Sequence, residues 1–187
     1  MLSNGKSIRN LVMTALLFTA AVAYAQNPTA TGVINATLVN KNGISLQFDT
    51  DAAGVTLGAS GTSAASANFG SVSAFGPLSA GVTRPSVLAA NFTVRTIFDV
   101  QVVQGGLASA NYTLTANLAA AAPTGFTYKV DAVTLTTAAQ TVQINGAYNT
   151  DVAHNLDLVV ATAAPGAGGP AVGTPIATTI NFTATAN

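Results

Sequence analysis

Apolar and polar residues alternate with a period of two through most of this chain, and that pattern constrains the fold more than any other feature. It is clearest from Phe92 to Val103, where Phe92, Val94, Phe98, Val100 and Val102 share one parity and Thr93, Arg95, Asp99 and Gln101 the other. Successive side chains of a strand point to opposite faces, so this run predicts a long strand with one face in a core and the other against solvent or a partner. Gly105-Gly106 ends it.

The same alternation recurs on both sides of this strand. In Val33–Val39, Ile34, Ala36 and Leu38 alternate with Asn35 and Thr37; after the turn residues Asn40-Lys41-Asn42-Gly43, Ile44, Leu46 and Phe48 resume the pattern, which predicts a hairpin. Tyr112, Leu114, Ala116 and Leu118 form another row, and Phe126, Tyr128 and Val130 another. Shorter strands are expected at Val133–Leu135 and Val142–Ile144, then one through Leu156, Leu158 and Val160, and a closing strand over Ile176–Ala184. Gly54–Gly81 is expected to hold short strands at Val55–Leu57 and Asn68–Val72 between loops. Ala163–Pro175, with four glycines and three prolines, is expected to be a loop.

Glutamate is absent while Thr, Val, Ala, Asn and Gly dominate, which disfavours surface helices. About eight to ten short strands without an amphipathic helix predict an all-β fold, an immunoglobulin-like β-sandwich with a jelly roll as the alternative. Residues 1–25 have the order of a cleavable signal peptide: Lys6 and Arg9, an apolar run from Leu11 to Ala23, then Ala23-Tyr24-Ala25, with cleavage expected between Ala25 and Gln26. Residues 26–187 then form a single domain with an N-terminal extension over about 26–39. No later apolar run is long enough for a membrane helix, so no span is expected after cleavage. The predicted location is secreted or on the cell surface, reached through the periplasm.

Charged residues make up 6% of the chain, against about a quarter in an average domain. Little charge repulsion therefore opposes self-association. Beyond the leader the cations are Lys41, Arg84, Arg95 and Lys129, too few and scattered for a nucleic-acid surface. There is no cysteine, which excludes thiolate chemistry and disulfides.

Little else carries chemistry. His154, the one histidine, lies in Asp151-Val152-Ala153-His154-Asn155-Leu156-Asp157, and no Gly-x-Ser-x-Gly elbow accompanies it. Asp49-Thr50-Asp51-Ala52-Ala53-Gly54 begins like a calcium loop but has Ala53 at its fifth position and Ser60 at its twelfth. Weak calcium binding between loops would draw on Asp49, Asp51 or Asp131. Without tryptophan, only Tyr112, Tyr128 and Tyr148 are candidates for stacking on a sugar. No catalytic, cofactor or metal residues are assigned, and the chain is expected not to be an enzyme.

The leader, the Thr/Ala/Gly-rich strands, Asn68-Phe69-Gly70-Ser71-Val72 and the closing Ile180-Asn181-Phe182-Thr183-Ala184-Thr185-Ala186 resemble the secreted β-sandwich subunits of bacterial fimbriae and the spore-coat-protein-U-like group. The resemblance implies a non-catalytic structural subunit of an extracellular filament, fimbria or surface coat. Such a subunit polymerises by β-strand addition, with a periplasmic chaperone and an outer-membrane usher as partners. The chain departs from many such subunits in lacking a cysteine pair and in having Ala186, not tyrosine, as its penultimate residue. Ile34, Ala36 and Leu38, with Ile180 and Phe182 in the last strand, are the candidate assembly residues. The alternative is a monomeric secreted adhesion or glycan-binding module using loops Asp151–Asp157 and Ala163–Pro175.

Overall fold

The computed structural model describes residues 43–163, 167–170 and 176–187, which lie within one compact unit, Val39–Asn187. The predicted signal peptide, its cleavage site and the Val33–Val39 strand with Ile34, Ala36 and Leu38 fall outside the described residues, as does most of the expected Ala163–Pro175 loop. The fold is all-β: among the described residues there is no helix, and two antiparallel sheets form a sandwich.

The larger sheet contains β1 (Gly43–Asp49), β2 (Thr83–Val87), β3 (Asn91–Gly105), β5 (Phe126–Val130), β6 (Val133–Thr134) and β8 (Asp151–Ala161), in the order β1-β3-β8-β5-β6. β2 joins β3 beside β1: β1 pairs with residues 99–105 of β3 and β2 with residues 92–95. The smaller sheet is β7 (Gln140–Ala147), β4 (Asn111–Leu118) and β9 (Ile180–Ala186), in the order β7-β4-β9.

Alternation in the sequence becomes alternation in burial. On β3, Val94, Val100 and Val102 have no exposed surface; on β4, Tyr112 and Leu114 have none. Phe126, Tyr128 and Val130 of β5 and Leu158 and Val160 of β8 complete one continuous core, with Ile180, Phe182 and Ala184 of β9 packed against it. Each large aliphatic side chain so enclosed stabilises the fold by about 1.5–3 kcal/mol relative to exposure. Phe182 joins the sheets by meeting Phe48 at 5.2 Å and Phe98 at 5.7 Å between ring centroids, both edge-on. Across the smaller sheet, the Tyr112 ring lies where a β-carbon on Gly146 would stand, 2.4 Å from its Cζ, so residue 146 admits no side chain.

One strand lies outside the sequence expectations, and two expectations are corrected. Thr83–Val87 is a strand despite Pro85, which sits on an outer edge where no ladder bond is required of it. Val55–Leu57 and Asn68–Val72 are not strands; the stretch from Gly54 to Gly81 carries only isolated bridges, Gly58 to Ser66 and Thr62 to Phe48. The closing strand begins at Ile180 rather than Ile176.

Between β1 and β2 the chain leaves the sheet and returns, and buried Thr96 closes the gap. Its hydroxyl accepts from the Val55 amide at 2.9 Å and donates to the Gly81 carbonyl at 3.0 Å. Gly54 lies so close that a β-carbon would reach within 1.8 Å of the Ile97 carbonyl oxygen. Replacing Thr96 with valine keeps the shape and orphans one donor and one acceptor. Chemical denaturation of Thr96→Val is expected to show a loss of about 2–4 kcal/mol. Thr96→Ser keeps the hydroxyl and is expected to lose only about 1 kcal/mol with its methyl group.

Candidate functional site

The expected centres of chemistry resolve into structural roles. His154 belongs to β8, so Asp151–Asp157 is a strand rather than a loop. Its imidazole is 2% exposed and packs beside Phe98, with ring centroids 5.9 Å apart. Nδ1 donates to Asp131 Oδ2 at 2.5 Å, while Nε2 is buried and has no hydrogen-bond partner among the described residues. A triad histidine needs Nε2 to take a nucleophile's proton, and this one is closed off.

Asp131 is a turn residue with φ 48°, followed by Ala132 at φ 71°, which gives the β5–β6 hairpin its primed turn. Its carboxylate also accepts from the Asn155 amide at 2.8 Å and from the Asn155 side chain. Burial pushes this carboxyl's pKa up, but the hydrogen bonds from His154 and Asn155 and the attraction of His154 outweigh it, holding the group below the ordinary carboxylate value. Asp131 is thereby committed to the hairpin and does not join the other aspartates.

Asp49 and Asp99 face each other across β1 and β3, and Asp151 lies near them on β8. Burial, then the charges of Asp51, Asp151 and Asp49, raise the Asp99 carboxyl above its ordinary value. Asp51 accepts from the Ala53 amide and Asp151 from the Gln101 side chain. Among the described residues no three such groups are arranged to hold a metal ion. Tyr112, Tyr128 and Tyr148 are at most 8% exposed, so none offers a ring to a sugar at the surface.

The described surface instead offers an edge and a groove. Four of the outer strands carry a feature that interrupts or shortens their edge. On β1, Phe48 exchanges backbone bonds with Thr62 and Gly61 at 2.9 and 2.8 Å. β2 carries Pro85 and a register shift, β6 has two residues, and β7 has two register shifts against β4. Prolines, bulges and short length are the usual devices that keep edges from pairing.

β9 has none of them. It pairs with β4 in unbroken register from Tyr112↔Ala186 to Leu118↔Ile180, and it contains neither proline nor a charged side chain. Bonds from the Asn187 amide to Asn111 and from the Ala119 amide to Thr179 bracket this ladder. Antiparallel bonding alternates, so the amides of residues 182 and 184 point away from β4 toward the outer edge. No strand among the described residues pairs there. Asn187 clamps the strand's end, giving side-chain bonds to Asn111 and Asn145 and accepting one from Thr113.

Beside this edge lies a cavity of about 1710 Å³ between the sheets. Its floor includes Phe92, Phe98 and Leu158, its walls Leu46 and Phe48 of β1 and Ile180 and Phe182 of β9, and residues 63–73 form its lip. The lining extends from Phe92 to Ile44, which lies opposite Gln104, a distance of about 40 Å along β3 at a rise of about 3.3 Å per residue. Small-molecule pockets measure about 300–1,000 Å³, and this space is larger and elongated. Its dimensions suit an extended peptide with alternate side chains turned inward.

Ile180 and Phe182 from the candidate assembly set thus stand on the inner face of β9, forming one wall of the groove. Alternation in the sequence located these two side chains but carried no signal for the open edge, which depends on what the other strands do. No protein-family model matches the chain, and no curated protein matches it in sequence.

Acidification tests the Asp131 arrangement. Because the folded-state pKa lies below the unfolded value of about 3.9, the native state binds fewer protons; the stabilisation is complete above that value and drains as pH falls through the folded one. Asp131→Asn keeps a residue that tolerates positive φ but cannot ionise. In urea titrations the variant is expected to be less stable than wild type at pH 7 and to have a shallower stability loss below about pH 4.

Proposed function

We propose that this chain is a non-catalytic structural subunit of an extracellular filament, fimbria or surface coat, assembling by β-strand addition. The outer edge of β9 is the acceptor, and the alternating segment Val33–Val39 of another copy is the donor. The observation that carries this reading is the undefended β9 edge alongside an apolar, strand-length groove. A strand added there would bond to the outward amides of β9 and turn Ile34, Ala36 and Leu38 into the cavity. Export through the periplasm fits the Lys6–Ala25 leader, and a periplasmic chaperone and outer-membrane usher are partners suited to an edge that needs cover before assembly. A monomeric glycan-binding module has less support, since Asp151–Asp157 is strand and the tyrosines are buried.

Two variants separate the acceptor from the donor. Ala184→Pro removes an outward amide without touching the ladder to β4, and deletion of residues 26–39 removes the donor row. Each protein alone is expected to remain unpolymerised by electron microscopy, while their mixture yields one-to-one heterodimers by light scattering. Filaments from Ala184→Pro alone, indistinguishable from wild type, would refute the assignment.

A further inference from the structure

The groove is bridged at its middle by three rings. Phe48 of β1, Phe98 of β3 and Phe182 of β9 all line it, and each packs on the other two. Their centroids lie 6.2 Å apart for Phe48 and Phe98, 5.2 Å for Phe48 and Phe182 and 5.7 Å for Phe98 and Phe182. The β1 and β9 walls therefore meet at these rings. Phe98 stands six residues from Phe92, at one end of the lining, and six from Gln104, which faces Ile44 at the other. About 20 Å of groove thus extends to either side, at a rise of about 3.3 Å per residue. A ring held by two others loses those contacts if it swings aside, so the middle resists bulk. No charged side chain lines the groove among the described residues.

The expected donor row has a matching shape. Ile34, Ala36 and Leu38 read large, small, large, whereas the inner face of β9 presents Ile180, Phe182 and Ala184. Directly opposed side chains on neighbouring strands have β-carbons about 4.5–5.5 Å apart, so their sizes must complement one another. With Ala36 opposite Phe182, the smallest member of the row meets the braced ring. Ile34 and Leu38 then stand about 6.7 Å to either side, whichever way the added strand runs. A shift of two residues drives Ile34 or Leu38 against Phe182. A shift of one turns the whole row out of the groove.

We infer that Phe182, braced by Phe48 and Phe98, determines which segment the groove accepts. That segment has an uncharged inward row of the pattern large, small, large, and its register places Ala36 of the incoming copy opposite Phe182. The inference rests on the strand-addition reading and adds to it a selection rule. Bulk at the central position overpacks the ring cluster, and bulk on either side of it fills open groove.

Full-length chains with single changes in the row are compared for the lowest protein concentration that gives filaments, by light scattering and electron microscopy. Ala36→Ser is expected to behave as wild type, and Ile34→Leu and Leu38→Ile to stay within about twofold of it. Ala36→Leu is expected to raise that concentration on the order of tenfold or more. Adding Phe182→Leu to Ala36→Leu is expected to recover most of the loss, because the shortened side chain makes room opposite residue 36. The row variants alter no residue of the described sandwich, so their order tests the register even where Phe182→Leu fails to fold. Filaments blocked by Ala184→Pro but unchanged in Ala36→Leu would overturn the register and leave strand addition standing. Filaments unchanged by both substitutions would overturn strand addition and the register together.

Discussion

The strand β3 is hydrogen-bonded along both edges, and the rest of the sandwich depends on that double ladder. β8 covers eleven of its residues on one side, while β1 and β2 follow one another along the other. A strand held in this way is buried in the middle of its sheet, as the full enclosure of Val94, Val100 and Val102 records. On the solvent face the same register sets Arg95 opposite Asp157, where the guanidinium grips the carboxylate through two bonds of 2.6 and 2.8 Å. That pairing, the stronger source of attraction at Arg95, raises the guanidinium's already high pKa. The carboxylate is almost wholly buried, and breaking such a pair from either side is costly because it strands a polar partner out of water.

The imbalance between the sheets follows from the same strand. A six-stranded layer anchored on β3 is faced by only three strands among the described residues, and the smaller layer stops at β9. Aromatic contacts from Phe182 to Phe48 and Phe98 hold β9 to the larger sheet, while the space beside it is bordered by the irregular residues 63–73. Edge and cavity thus both follow from the three-stranded layer that the described residues form. Where other edges end in a bulge, a proline or a bridge, β9 keeps a regular backbone beside apolar surface.

Most of the core was legible from alternation alone, because Phe92, Phe98, Val100 and Val102 on β3 and the Tyr112–Leu118 row on β4 turn inward with a period of two. The failures have local causes. β8 begins five residues before Leu156 because Asp151, His154 and Asn155 find polar partners within the sheet, which hides the strand behind turn-like composition. β2 was obscured by Pro85, a residue tolerated only because its outer side needs no donor. The candidate site was half legible: Ile180 and Phe182 are visible as an inward row, but an edge is defined by the absence of a neighbour. That is a property of sheet order, which no local pattern encodes.

Gly54 and Gly81 meet where the chain leaves and rejoins the larger sheet: a β-carbon on Gly81, whose φ is +76°, would lie 2.2 Å from the Gly54 carbonyl oxygen. The stretch between them is a closed excursion whose ends are fixed by Thr96 and the backbone of Ile97. Doubling the length of a flexible loop with fixed ends costs only about 0.6 kcal/mol in closure entropy. Val55 and Leu57 are buried in the core and Gly61 and Thr62 bond to Phe48, so those positions are fixed and the length can change only between such anchors without disturbing the register of the sheets. Since residues 63–73 also border the cavity, such a change would alter what the groove admits without altering the scaffold, separating the evolution of fit from the evolution of form.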